Sequence, residues 1–387
     1  MKFLYLILSS IILISTVYSQ LISIPASSRH DFEVPDSLLH TSNYECTSFC
    51  LPQNGSAVFG SNYDYPKDNP EGLVFVNKRN VSKTFAESDS LSRHVQWTSK
   101  YGSVSVNLVT GQASFAGMNE AGLVISLMGL RGSIAPPPDS RPWIHSYLVL
   151  QYILDNFATI PEVIAGMSTL RPVGTEPPYW IPHYLVSDQK GKCATIEFLD
   201  GKLVVHTGED LPVKALANST YEKSISIWRR NLTQKNEINI ASIKDPSIRR
   251  FLLAAKRVTS YTPESEQSAV HTAFDILDEV SGQNIKGSPT LWSLVFGTKS
   301  MRVYFKTILN PEIRFIDLQK LEFSCQTPVR MLDINEKLSG DITGKLTDYS
   351  FKLHLAHALK ARIKWEMKIN PTELERVIKM YDGFLCK

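Results

Sequence analysis

The chain is poor in the features that mark the commonest alternatives to a globular enzyme. It has only five cysteines in 387 residues, too few for a disulfide scaffold. It has no excess of either charge, with 41 Lys and Arg against 38 Asp and Glu, which argues against nucleic acid as the main partner. It lacks a His-Glu-X-X-His pair and a Cys-X-X-Cys pair, so the spacing of a zinc site is missing, and no cofactor-binding pattern takes its place. Asp188 to Gly191 reads as a turn and not as a phosphate loop. Apart from the first residues it has no apolar run approaching the roughly 20 residues that span a bilayer. There is no internal repeat and no low-complexity linker.

What is present begins at the N-terminus. Lys2 precedes an apolar run from Leu4 to Val17, and Val17-Tyr18-Ser19 offers a cut before Gln20. Residues 1–19 therefore read as a signal peptide. The expected protein is secreted, lysosomal or periplasmic, without stable membrane insertion once the leader is gone. Residues 20–45, rich in Ser, His and Pro, read as a pro-segment, and residues 46–387 as one catalytic domain. An odd cysteine count in an exported protein leaves at least one thiol unpaired, and Cys46 is the candidate. Cys325 and Cys386 could pair. Cys193, in an apolar run, reads as a buried strand residue. Asn54, Asn80, Asn218 and Asn231 stand in Asn-X-Ser/Thr triplets, the acceptor pattern of a glycoprotein.

Short β-prone runs follow Cys46: Ser56–Gly60, Gly72–Val76, Tyr101–Leu108 and Gly122–Leu130. Helical periodicity is read at Trp143–Phe157 and Ile160–Met167. Strands return at Trp180–Val186 and Lys192–Thr207, with Asp200-Gly201 as a hairpin turn. Two amphipathic helices, Ile248–Val258 and Pro263–Val280, precede strands within Trp292–Phe323. Helices around Phe351–Met367 and Pro371–Met380 close the chain. Blocks of strands and helices that do not alternate suit an α+β protein of two packed antiparallel sheets covered by helices. His354 and His357, three apart, read as an ordinary helix face.

Three segments carry a resemblance: Cys46-Thr47-Ser48-Phe49-Cys50, Phe59-Gly60-Ser61-Asn62-Tyr63-Asp64-Tyr65-Pro66 and Gly117-Met118-Asn119-Glu120-Ala121-Gly122-Leu123. In that order they resemble the choloylglycine hydrolase family, the linear amide C–N hydrolases, which include bile salt hydrolases and penicillin V acylases and have acid ceramidase as a relative. The resemblance runs from Cys46 to about Cys325. It implies the four-layer αββα sandwich of the N-terminal nucleophile hydrolases. It also implies that Cys46 becomes a new N-terminus and the nucleophile, after cleavage of Glu45-Cys46 by its own thiol. A thiol attacks an amide only as thiolate, and the α-amine of a terminal Cys, with an ordinary pKa of about 7.7–8.0, is a ready base. By the same resemblance, Asp64 holds that amine, Asn218 donates to the oxyanion, and Arg250 sits beside the nucleophile and tunes local charge; the glycines of Gly117–Leu123 suit a tight turn under the site, which Asn119 is expected to fix with side-chain hydrogen bonds.

Two departures stand out. Bile salt hydrolases carry an arginine at the position of Ser61 and a second oxyanion asparagine where this chain has Gly129, near which a backbone N–H can still donate to the oxyanion. Neutral acyl amides are therefore expected to be better substrates than taurine- or glycine-conjugated bile acids. The reading that results is a self-activating amidohydrolase for small N-acyl amines or N-acyl amino acids, without a cofactor or metal, with a homo-oligomer left open. A ceramidase-like fatty-acyl amide hydrolase and a non-catalytic secreted binding protein on the same fold are the alternatives.

Overall fold

In the computed structural model, residues 45–65, 71–84, 94–108, 113–130, 132–174, 181–233, 239–285, 288–364, 370–382 and 385–387 are described. The expected leader and all of the expected pro-segment except Glu45 lie outside them.

Two strands organise everything that follows. Strand β1 (Glu45–Gln53) and strand β2 (Ser56–Asp64) form a hairpin in which Gln53 faces Ser56 and Glu45 faces Asp64. The turn between them is Asn54-Gly55, and Gly55 takes φ 76°, a conformation that costs a glycine little. Every residue of β2 is buried, so its run of apolar and small residues does not alternate. One face meets helices and the other meets a second sheet. At Gly60 the Phe49 ring lies so close that an added Cβ would come within 2.5 Å of it, which is why the hairpin needs a glycine there.

The first sheet has seven strands, in the spatial order Ala215–Leu216, β1, β2, Thr290–Gly297, Arg302–Thr307, Asn310–Asp317 and Gly340–Asp341. All its pairs are antiparallel except the last. The second has nine antiparallel strands, centred on Val124–Met128 and Ser114–Asn119, with His183–Ser187, Cys193–Leu199 and Lys202–Thr207 toward one edge. Helices Pro246–Ser260 and Glu266–Glu279 cover the first sheet, and helices Val149–Asn156 and Ile160–Ser168 cover the second. The layers are helix, sheet, sheet, helix, as expected.

The hairpin at Asp200-Gly201 forms, with φ 50° and 72° at its two residues. Cys325 and Cys386 form a disulfide, their Cα atoms 5.4 Å apart. The helix expected over Trp143–Phe157 is shorter. Trp143–His145 is instead a strand paired with Arg171–Val173, and the α-helix starts only at Val149. The bulky side chains of Trp143 and Ile144 satisfy a sheet edge as well as a helix face, and tertiary pairing decides. The helix Tyr221–Thr233 is an addition to the expected elements. Its buried Tyr221, Ile225 and Trp228 recur at helical spacing. His354 and His357 lie on helix Phe351–Lys364, and both are buried there. His357 sits 3.2 Å from Asp333 and 3.3 Å from Glu71.

Candidate active site

The hairpin dictates which groups can meet. Side chains alternate along a strand, so Glu45, Thr47 and Phe49 share one face of β1, and Cys46, Ser48 and Cys50 share the other. The cross-strand pairs Glu45–Asp64 and Thr47–Asn62 put Asp64 and Asn62 on the first face, toward helices Pro246–Ser260 and Glu266–Glu279. Cys46 pairs with Tyr63 and Ser48 with Ser61 on the face toward the second sheet.

Helix Pro246–Ser260 delivers the charge. Asp245 caps its first turn by accepting from the backbone N–H groups of Ser247 and Ile248, and Pro246 opens the first turn, where its missing N–H costs nothing. One turn on, Arg250 points into the sheet and is wholly buried. Its guanidinium donates from Nε to Thr47 Oγ1 at 3.0 Å, from Nη1 to Glu45 Oε2 at 3.0 Å and from Nη2 to Asn218 Oδ1 at 2.5 Å. Its neighbour Arg249 donates to the Ile285 carbonyl instead. Consecutive helix positions face different ways, and only Arg250 faces the site.

Asn218 is held at both ends of its amide. Oδ1 accepts from the backbone N–H of Cys46 at 2.8 Å as well as from Arg250, and Nδ2 donates to the Gly129 carbonyl at 2.9 Å. Its own backbone N–H donates to Ser247 Oγ at 2.9 Å. A buried amide held at both ends is a poor setting for a glycan on this Asn-X-Ser/Thr triplet. Gly129, near which a backbone donor is expected, meets Asn218 through its carbonyl.

The turn that carries Asn218 rests on a buried pair that sequence reasoning did not find. His183 Nδ1 lies 2.9 Å from Glu197 Oε1, and its Nε2 lies 2.6 Å from the Ala217 carbonyl. Glu197 also accepts from the backbone N–H of Tyr221. Both side chains are fully buried. They come from neighbouring strands of the second sheet, and nothing local in the sequence joins them to Asn218.

Asp64 lies against the same cluster. Thr290 Oγ1 donates to its Oδ1 at 2.6 Å, and Arg250 Nε stands 4.0 Å from its Oδ2. Oδ2 is buried and has no hydrogen-bond partner among the described residues. Burial pushes this carboxyl up to about 7, against the opposing pull of Arg250 and Thr290. The Cys46 nitrogen, which the sequence reading assigns to Asp64, donates instead to Asn218 Oδ1. Thr47, Thr290 and Ser288, whose backbone N–H donates to Glu45 Oε2, are polar partners in the cluster outside the expected site residues. They are ordinary strand and loop residues whose roles appear only once the strands pair.

The Cys46 thiol is fully buried, and its pKa is pushed far above the ordinary thiol range. Burial is the first cause and the Asp64 charge the second. A hydrogen bond from the Asp64 backbone and the Arg250 charge oppose them weakly, and Glu45 adds to the rise. Ser61 does not reach the Arg250 cluster. Its hydroxyl lies 3.0 Å from that of Ser48 and 2.7 Å from that of Ser126, a polar bridge between the sheets. Asn119 sits farther out, accepting from the N–H groups of Ala121 and Leu123 and donating to the Leu154 and Phe157 carbonyls. That is the turn-fixing role expected for it.

The structure thus brings together Cys46, Asp64, Asn218 and Arg250, which are scattered over about two hundred residues of sequence. Among the described residues no group of three or more His, Cys, Asp or Glu side chains is arranged to hold a metal ion. A cavity of about 240 Å³ opens beside the cluster, lined by Glu45, Gly129, Asn218, Ser247 and Arg250 among others.

Comparison with known proteins agrees with this architecture. Penicillin V acylase of Pectobacterium atrosepticum is 27% identical over 270 residues, covering 59% of this chain and 69% of that protein. The structure of penicillin V acylase from Agrobacterium tumefaciens superposes with a TM-score of 0.61 at 26% identity, over 79% of this chain and 98% of that one. Conjugated bile acid hydrolase from Clostridium perfringens superposes with a TM-score of 0.61 over 76% of this chain and 98% of that one. At 17% identity it speaks for the fold alone. Residues 46–331 match the family of linear amide C–N hydrolases, the choloylglycine hydrolase family, and the chain belongs to it.

Proposed function

We propose that this hydrolase is exported, cuts itself before Cys46, and then uses Cys46 as an N-terminal nucleophile on small N-acyl amines or N-acyl amino acids. The observation that carries the reading is the orphaned Oδ2 of Asp64. A buried carboxylate oxygen without a hydrogen bond costs free energy, of order 1–3 kcal/mol or more. The uncut strand leaves that cost standing one residue across the hairpin from the Cys46 nitrogen. Cleavage turns the amide nitrogen into an amine with N–H donors to spare. That amine satisfies Asp64 and stays within reach of Asn218 Oδ1.

In the first reaction the Cys46 thiol attacks the Glu45 carbonyl carbon and loses its proton. The C–N bond breaks, the Cys46 nitrogen takes up the proton, and a thioester joins Glu45 to sulfur. Water hydrolyses the thioester and releases the pro-segment as a carboxylic acid. In the second reaction the new α-amine takes the thiol proton. The thiolate attacks the substrate carbonyl, and the resulting oxyanion is borne by hydrogen-bond donors including the Asn218 amide. The amine product leaves with the proton, and water clears the acyl-enzyme. Departure of Glu45 also removes one of the charges that raise both Cys46 and Asp64. The mature thiol is therefore easier to ionise than the one in the uncut chain.

A thiol-alkylating amide such as iodoacetamide tests the reading. One label on Cys46 per chain, located by peptide mass, should abolish hydrolysis of penicillin V and of simple N-acyl amides together. Hydrolysis that survives full labelling of Cys46 would refute the assignment.

A further inference from the structure

Glu45 is the one described residue that the proposed cleavage removes, and its side chain is not idle. Its Oε2 accepts from Arg250 Nη1 at 3.0 Å and from the Ser288 backbone N–H at 3.1 Å. Arg250 is wholly buried, while the Glu45 side chain is 18% exposed at the edge of the adjoining cavity. The uncut chain therefore contains a seat for a carboxylate, built from a buried guanidinium and a fixed backbone donor, with a carboxylate in it. When Glu45 departs, the cation and the donor remain. Arg250 keeps Thr47 and Asn218 as acceptors, but the Nη1 and Ser288 hydrogens that faced Glu45 lose theirs. Burial makes unmet donors costly, and a buried guanidinium does not discharge by losing a proton.

We infer that this seat is a carboxylate subsite of the mature enzyme, and that it takes an anion on the acyl side of the scissile bond. The inference rests on the reading that the chain is cut before Cys46. The geometry also specifies the length. Measured from the carbonyl that Cys46 attacks to the carboxyl held by Arg250, Glu45 is a glutaryl chain with an α-amino substituent. The acyl group that reproduces it is that of a dicarboxylic monoamide of glutaryl length, or an N-terminally blocked α-glutamyl amide. The expectation that anionic amine portions are poorly served at Ser61 is untouched. The adjoining cavity has Lys223 and Asp245 on its wall.

Two measurements test the seat. With protein whose N-terminus is shown by mass to be Cys46, kcat/KM is compared for the anilides of glutaric acid, its monomethyl ester and pentanoic acid. The charged acyl group should win by about tenfold to a hundredfold, the range of one charge-assisted hydrogen bond. Equal or better turnover of the pentanoyl anilide overturns the subsite while leaving the amidase reading intact. Calorimetric binding of glutarate against pentanoate reads the seat without turnover. Tighter glutarate with no anilide cleaved supports the seat and counts against the amidase reading. If the purified chain still carries its pro-segment, Glu45→Gly vacates the seat without a cut, and the same pair of acids is titrated into that variant. Glutarate binding no tighter than pentanoate in the vacated seat overturns the inference.

Discussion

The two ends of β1 carry two buried thiols on the same face, and they are handled differently. At the far end, the backbone N–H of Cys50 donates to the Lys214 carbonyl at 2.9 Å, an ordinary bond of the strand ladder. Its sulfur sits 3.6 Å from Ser187 Oγ, and a hydrogen bond with Cys193 draws its pKa down. At the near end, the backbone N–H of Cys46 is taken by a side chain, Asn218 Oδ1, which is itself pinned by a buried arginine. Burial and a neighbouring carboxylate hold the Cys46 thiol in its neutral form. Thiol acidity therefore does not single out Cys46 as a nucleophile. Judged by what surrounds the nitrogen, only Cys46 is prepared to become a terminus. On the proposed reading, reactivity is built around the backbone amide, and the thiol acquires its base only when that amide is cut.

The comparison breaks most visibly at the two sulfurs. Cys46→Ala should abolish both processing and amide hydrolysis, with the fold retained, because a small buried side chain is replaced by a smaller one. Mass and circular dichroism check the fold, and a panel of N-acyl amides checks activity. Retained hydrolysis would mean that another group attacks. Asn218→Ala should be next in size. It removes the acceptor of the Cys46 nitrogen and a donor amide from the site, and kcat of processed enzyme should fall by roughly 10²–10³. A near-normal kcat would return Asn218 to a structural role.

Asp64 sharpens the comparison through pH. Its carboxyl is raised from 3.8 to about 7 in the folded, uncut chain. Between those values the folded state holds a proton that the unfolded state has lost. Stability therefore falls as pH rises through that window. In uncut protein, made with Cys46→Ala, the unfolding free energy should decline from about pH 4 to about pH 7 more steeply than when Asp64→Asn is added. Parallel pH profiles for the two proteins would show that the proton is not on Asp64. The smallest effect belongs to Cys50→Ser. It should cost on the order of 1 kcal/mol of stability, as conservative core substitutions do, and leave processing and kcat within about twofold of the parent. Loss of processing in Cys50→Ser would erase the difference between the two ends of the strand.

The fold was legible where patterns are local. The Asp200-Gly201 hairpin, the helices Ile160–Ser168, Pro246–Ser260 and Glu266–Glu279, and most strands announce themselves by turn residues and period. Trp143–His145 was misjudged because its partner, Arg171–Val173, is remote in sequence, and pairing overrides periodicity. Cys46, Asp64, Asn218 and Arg250 were named from motifs, and they do converge. Their contacts were not legible. Motif spacing does not say that Asn218 rather than Asp64 holds the Cys46 nitrogen, or that Glu45 occupies Arg250. It gives no sign that His183 and Glu197 support the Asn218 turn from the second sheet. Those are consequences of strand register and burial, which no single segment encodes.

The central claim is that chemistry begins when the bond before Cys46 is broken. Intact mass with N-terminal sequencing of fully active protein tests it most directly. The account predicts a mature chain whose first residue is Cys46, with Glu45 gone. A fully active chain that begins at Gln20 and still carries the Glu45–Cys46 bond would contradict it.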